Sequence, residues 1–168
     1  MKNKKTAFIT FFPIKPDTMG SSAVVNARYN SWPSHKKLFQ LSHLKNYKNK
    51  NIKTIYIKKE SPFYKIINLH KIILAAYGYL NNGGKNILVI EGASWIFYSF
   101  CTLIFFKIFL PSTKIVYISH SIEFEIRKKY SNPLIYFLTF ILEYLVFYFS
   151  SISTTVSKLE YKKIYNLY

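Results

Sequence analysis

The chain has 168 residues, half of them hydrophobic: about one domain, able to bury roughly two thirds of its unfolded surface and too apolar for a disordered polymer. Lys and Arg number 24 against 7 Asp and Glu, and a net charge of +17 ordinarily points to nucleic acid or an anionic membrane surface. The lysines are scattered and no nucleic-acid motif accompanies them, so nucleic acid is excluded as a partner; Lys, Asn, Ile, Tyr and Phe make up about half the chain, and their AT-rich codons account for part of the basicity.

The opening MKNKKTAFITFFPIKP imitates a signal peptide, but only a short apolar run separates Lys5 from Pro13 and no small-residue cleavage site follows. Ala7–Phe12 therefore reads as a first strand, and Pro13–Gly20, with Pro16 and Asp17, as a loop. Ser21 or Ser22 can cap a short helix reaching about Tyr29. Lys37–Leu41 and Thr54–Ile57 read as strands. Ser61-Pro62 is a helix start, a capping hydroxyl followed by proline at the first helical position; that helix runs to about Leu80 and stops at Asn81-Asn82-Gly83-Gly84. Ile87–Ile90 is a strand ending at Glu91-Gly92, and Ser94 to about Phe109 a helix. Its Cys101 is the single cysteine, which excludes an internal disulfide and reads as a small buried hydrophobe in a reducing compartment. Pro111-Ser112 turns into the strand Ile115–Ile118, a charged helical pattern follows Ser121, a long helix fills about Pro133–Phe149, and Ile152–Val156 is a last strand. Ser157-Lys158-Leu159-Glu160 is a capping box opening a terminal helix.

Strands alternating with helices of this length predict right-handed βαβ units and an α/β, Rossmann-like doubly wound sheet, mostly parallel and covered on both faces. Such a topology gathers strand ends on one edge, where ligands bind. Met19-Gly20-Ser21-Ser22 follows the first strand; a Gly there lets backbone approach a ligand, and a helix start offers N–H groups to phosphate, although an ordinary turn explains it equally well. Glu91-Gly92 ends the fourth strand, where a carboxylate either binds a sugar hydroxyl or turns to solvent. His120 and Glu123 follow the next strand, in Lys114–Tyr130, KIVYISHSIEFEIRKKY. A His at that edge can donate, accept or act as a base near neutral pH; a capping turn with an incidental His is the alternative.

A strand followed by S-H-S-I-E-F-E-I-R resembles the "strand, then H-N-x-E-x-x-x-R" segment in the N-terminal domain of family 4 glycosyltransferases of the GT-B type, with Ser121 in place of the usual Asn. Leu142-Glu143-Tyr144 followed by Ile152-Ser153-Thr154-Thr155-Val156-Ser157 is similar to that family's "L-E-x … A-D-x-V-x-x-V-S" run, and the likeness extends from about residue 6 to 168. The resemblance implies a retaining hexosyl transfer from a nucleotide-sugar to a cell-envelope glycan or lipid-linked acceptor, with no metal or cofactor. It implies His120 as the catalytic residue beside the donor sugar, Gly20, Ser21, Ser22 and Glu123 on the donor sugar and phosphates, and Glu91 and Arg127 on the acceptor side. Glu143 then reads as a structural carboxylate. The resemblance places the whole chain in the acceptor-binding half; the family's second domain, with its E-x7-E carboxylates, has no counterpart here and would have to be supplied separately. The implied setting is cytoplasmic and peripheral, on the inner face of the cytoplasmic membrane. Two other readings stand beside it: an inactive remnant, or a small membrane protein spanning at Trp95–Phe109 and Leu134–Ile152, the latter with Glu143 at mid-depth.

Overall fold

A computed structural model describes residues 4–14, 20–33, 35–44, 49–82 and 84–167. The elements run β1 (Lys5–Thr10), α1 (Gly20–Ser31), β2 (His35–Ser42), β3 (Ile52–Tyr56), α2 (Pro62–Leu80), β4 (Ile87–Gly92), α3 (Ile96–Phe109), β5 (Lys114–Ser119), α4 (Glu123–Tyr130), α5 (Pro133–Phe149), β6 (Ile152–Thr155) and α6 (Lys158–Leu167). The sheet order is β3-β2-β1-β4-β5-β6, and every neighbouring pair is parallel. This is the α/β, Rossmann-like doubly wound architecture that the alternation of strands and helices predicts.

The central strands are apolar on both faces, as a parallel sheet between helical layers requires. Ala7, Ile9, Leu88, Ile90, Ile115 and Tyr117 point into one core with α2, α3 and α5. Phe8, Leu38, Val89, Val116 and Ile118 point into the other, against Val25 and Tyr29 of α1. A smaller cluster joins Phe124 of α4 to Ile164 of α6. The direction in which successive strands are added to the sheet reverses between β1 and β4, where Thr10 stands beside Glu91, and the crevice of such a sheet lies outside the carboxyl ends at this point.

Local chemistry moves several boundaries. β1 ends two residues early because the Thr10 hydroxyl donates to the Phe12 carbonyl at 2.9 Å and turns the chain out of the ladder. α1 starts at Gly20 and Ser22 lies buried inside it, so neither Ser21 nor Ser22 is its cap. α3 starts at Ile96, with Trp95 as an N-cap that makes no side-chain bond. Ser61 does cap α2, accepting from the Tyr64 N–H, and Ser157 accepts from the Glu160 N–H, one half of the expected capping box. Cys101 is half-buried rather than buried, lying with Leu69, His70 and Phe105 along a groove between α2 and α3; burial pushes its thiol pKa up. Pro16, Asp17 and Met19 of the first loop and Gly83 of the α2 stop lie outside the described residues. Among the described residues no helix is both long and apolar enough to cross a membrane.

Candidate functional site at the carboxyl edge of the sheet

Glu91 ends β4 and is completely buried. A carboxylate with no access to water is tolerated only when it is paired and hydrogen-bonded. Arg28, in the last turn of α1, places Nη1 at 2.8 Å from Oε1 and 2.7 Å from Oε2 of Glu91. His120, the first residue after β5, places Nε2 at 2.8 Å from Oε2 of the same carboxylate. Residues 28, 91 and 120 thus meet at the topological switch point, brought there by the ends of α1, β4 and β5.

The His120 ring is held by Glu91 and by Phe12. Its side chain is 8 % exposed and stands edge-on to Phe12, with ring centroids 6.4 Å apart. The Ser119 hydroxyl donates to the Ser121 carbonyl at 2.7 Å and closes the turn that presents the histidine. Nε2 is engaged by the Glu91 carboxylate, which leaves Nδ1 as the ring nitrogen for any further hydrogen bond. Residues 11–14, after β1, form the neighbouring wall and are hydrogen-bonded in turn. Ile14 N–H donates to Gln40 Oε1 at 3.0 Å, and the Ser22 hydroxyl donates to the Pro13 carbonyl at 2.9 Å.

Glycine is required at position 92. A Cβ there would collide with the Tyr117 hydroxyl and lie 2.7 Å from two of its ring carbons. Tyr117 is wholly buried behind the site. Burial raises its phenol pKa well above the usual value, and the negative charges of Glu143, Glu123 and Glu91 raise it further, against a lowering hydrogen bond with Ser119. Tyr98 is pushed up to about 12, first by burial, with Arg127 opposing and Glu123 adding to the rise.

Glu123 and Arg127 occupy one face of α4 and bond to each other, Arg127 Nε and Nη2 lying 2.9 and 2.8 Å from Glu123 Oε1. The start of α4 is held by a residue from the next helix. Its N-cap, Ile122, has no side-chain hydrogen bond, and the buried Glu143 carboxylate accepts from the N–H groups of Glu123 at 2.8 Å and Phe124 at 3.3 Å. A carboxylate at a helix N-terminus gains from both the unpaired donors and the helix dipole. Glu143 therefore has the structural role expected of it.

Of the sequence-predicted residues, the structure brings Glu91 and His120 into contact and sets Glu123 and Arg127 apart as a pair on α4. Gly20 and Ser21 lie at the start of α1; Gly20 is exposed and a Cβ on it would meet nothing within 4 Å, whereas the hydroxyl of Ser22 is already engaged by Pro13. Beside the His120 turn, a cavity of about 330 Å³ opens between α4 and α6, lined by Ser121, Ile122, Glu125, Lys129 and Glu160 among others. Glu160 Oε2 is buried there without a hydrogen-bond partner among the described residues. Sequence reasoning missed Arg28. The signal was its rarity: only two arginines, Arg28 and Arg127, stand among the 24 cations, and each is bonded to a carboxylate. Planar guanidinium, unlike ammonium, presents several donors at fixed angles to such a group. Compared with known proteins, the chain matches no family model and no curated protein.

Proposed function

We propose that the chain is the acceptor-binding half of a retaining glycosyltransferase, resembling family 4 of the GT-B type, which transfers a hexosyl group from a nucleotide-sugar to a cell-envelope glycan or lipid-linked acceptor. The observation that carries this reading is the His120–Glu91 bond at the switch point. An imidazole held by a buried carboxylate, at the mouth of a doubly wound sheet, is a preorganised polar contact for a sugar hydroxyl. His120 is the group that touches the donor sugar. Glu91 and Arg28 are positioning residues, the first fixing the ring and the second balancing the charge of the first. Gly20 and Ser21 lie where donor phosphates would meet the free N–H groups of α1. The α4–α6 cavity, with Glu125, Lys129 and the unpartnered Glu160 oxygen, suits the hydroxyls of an acceptor. Glu123 and Arg127 act through the placement of α4 beside it. The nucleotide itself is bound by a second domain, and no metal takes part.

The test supplies a donor-binding domain and measures release of nucleoside diphosphate in the presence of acceptor. His120→Ala should lower turnover by about 10² or more, the scale of one preorganised contact in a closed site, with little change in melting temperature. Glu91→Gln should lower turnover in the same direction while leaving acceptor KM unchanged, since it frees the ring without removing it. Near-normal turnover with a large fall in melting temperature for His120→Ala would make the histidine a core residue and end this reading. Without the second domain, nucleotide-sugar should fail to saturate at about millimolar concentration, corresponding to less than about 4 kcal/mol of binding.

A further inference from the structure

α5 buries Thr139, Leu142, Glu143 and Val146 and turns the opposite face to solvent. That face is Leu134, Phe137, Leu138, Ile141, Tyr144 and Tyr148, spaced by three and four residues so that they form one stripe down the helix, about 21 Å long at 1.5 Å per residue. Leu134 is 75 %, Phe137 58 % and Tyr148 68 % exposed. The only charged residue of α5, Glu143, points inward, so the outer face carries none. A continuous apolar strip of this length on a helix that already has a packed face marks a contact with something else.

Charge identifies the occupant. Lys128 and Lys129 are exposed in the last turn of α4, immediately before α5 begins. α3 packs beside α5, and each leads into a strand of the parallel sheet, so both end at the amino edge; exposed Lys107 lies in the last turn of α3, and exposed Lys114 opens β5 next to the Ser151–Ile115 hydrogen bond that receives the end of α5. Exposed lysines thus stand near both ends of α5. A second copy is disfavoured as the cover because each chain carries a net charge of +17, and like charges oppose association. An anionic bilayer satisfies both features, taking the apolar strip into its interface and the lysines onto its headgroups. Tyr144 and Tyr148 have the apolar body and polar tip suited to that boundary.

We propose that the outer face of α5, from Leu134 to Tyr148 with its flanking lysines, is a monotopic seat on an anionic membrane. α5 starts at the carboxyl edge of the sheet, so the seat begins at the same edge as the His120 crevice. The inference stands whether or not the glycosyl-transfer reading does, since its readout is location and not turnover.

The test is flotation of the full chain with phosphatidylcholine vesicles, with and without phosphatidylglycerol, across a salt series. The wild-type chain should float with the anionic vesicles alone. Leu134→Asp with Phe137→Asp should weaken binding at least about tenfold, the melting temperature staying unchanged because both positions are exposed. Lys128→Ser and Lys129→Ser should each cost about fivefold at low salt, an effect that added salt removes. In a Phe137→Trp variant, brominated lipid should quench fluorescence beyond the background of Trp32 and Trp95, a readout that needs no loss of function. Equal binding by the Asp variant, absence of bromolipid quenching, or no flotation at all would overturn the proposal. So would a dimer by light scattering that the Asp variant separates while vesicles stay unbound, which would give the face to a second copy.

Discussion

Gly92 has a measurable role that its neighbours obscure. It lies between Glu91 and the loop to α3, and Tyr117 fills the space a side chain would need. Gly92→Ala should therefore destabilise the protein by about 1–3 kcal/mol, as overpacking of a rigid core does. Combining it with Tyr117→Leu should recover part of that loss, giving a non-additive pair in a denaturant-midpoint cycle. Full additivity would show that the two positions do not share the space. Glu91 and His120 were legible in the sequence, because polar residues at the ends of apolar strands are conspicuous. That they bond to each other was not, since a strand pattern carries no information about which strands become neighbours. Arg28 was hidden for a related reason: it sits in a helix with almost no amphipathic contrast, and only the position of β4 beside β1 gives it a partner.

At the scale of elements, caps that act over three residues were readable at α2 and α6 but not at α1, where neither Ser21 nor Ser22 caps, and the cap that acts over twenty was not readable. Ser61 and Ser157 do what their spacing predicts, and Asn132 caps α5 by accepting from the Ile135 N–H at 2.9 Å. The start of α4 depends instead on Glu143, a helix away. Glu143→Gln should loosen α4 selectively, because a neutral amide replaces a carboxylate that accepts two backbone N–H groups. The expected cost is about 2 kcal/mol, that of weakening hydrogen bonds to a charged group. Hydrogen exchange should rise first at residues 123–130 and leave β4 and β5 protected. Uniform exchange across the sheet would instead mean that Glu143 supports the whole core. The same helix shows why length and apolarity leave the membrane-span reading open in the sequence: α5 is apolar on its outer face as well as its inner one, and a linear sequence cannot separate a helix lying along a surface from one crossing it.

The whole molecule responds to alkali through buried tyrosines. Tyr98 ionises at about 12 when folded, and Tyr29, Tyr79 and Tyr117 are also raised, in each case first by burial. An unfolded tyrosine ionises near 10. Below about pH 10 both states keep the proton and this contribution is intact. Above it the unfolded chain loses protons that the folded chain retains, so stability falls as pH rises, and the Tyr98 share is gone once pH passes about 12. Denaturant midpoints should decline across that window, and tyrosinate absorbance should jump on unfolding at about pH 11. A midpoint that stays flat through the window, with all tyrosines ionising together in the folded state, would contradict the burial.

The sheet order also has a consequence in time. No two adjacent strands are joined by a hairpin, and β1 pairs with β2 on one side and with β4 on the other. If strands pair in the order of their synthesis, β2 and β3 extend the sheet from β1 in one direction, and β4, β5 and β6 then extend it in the other. Each newly made strand finds an edge already waiting, so growth needs no rearrangement, but the second edge of β1 stays bare until Ile87–Gly92 emerges. A ribosome stalled before Ile87 would display Phe8 and Ile9 on an unpaired edge, the kind of surface that recruits other chains. Arg28 would wait in that intermediate with its cation unmatched. Glu91 arrives to neutralise it and His120 arrives last, so synthesis delivers the three groups in the order in which the growing sheet can seat them.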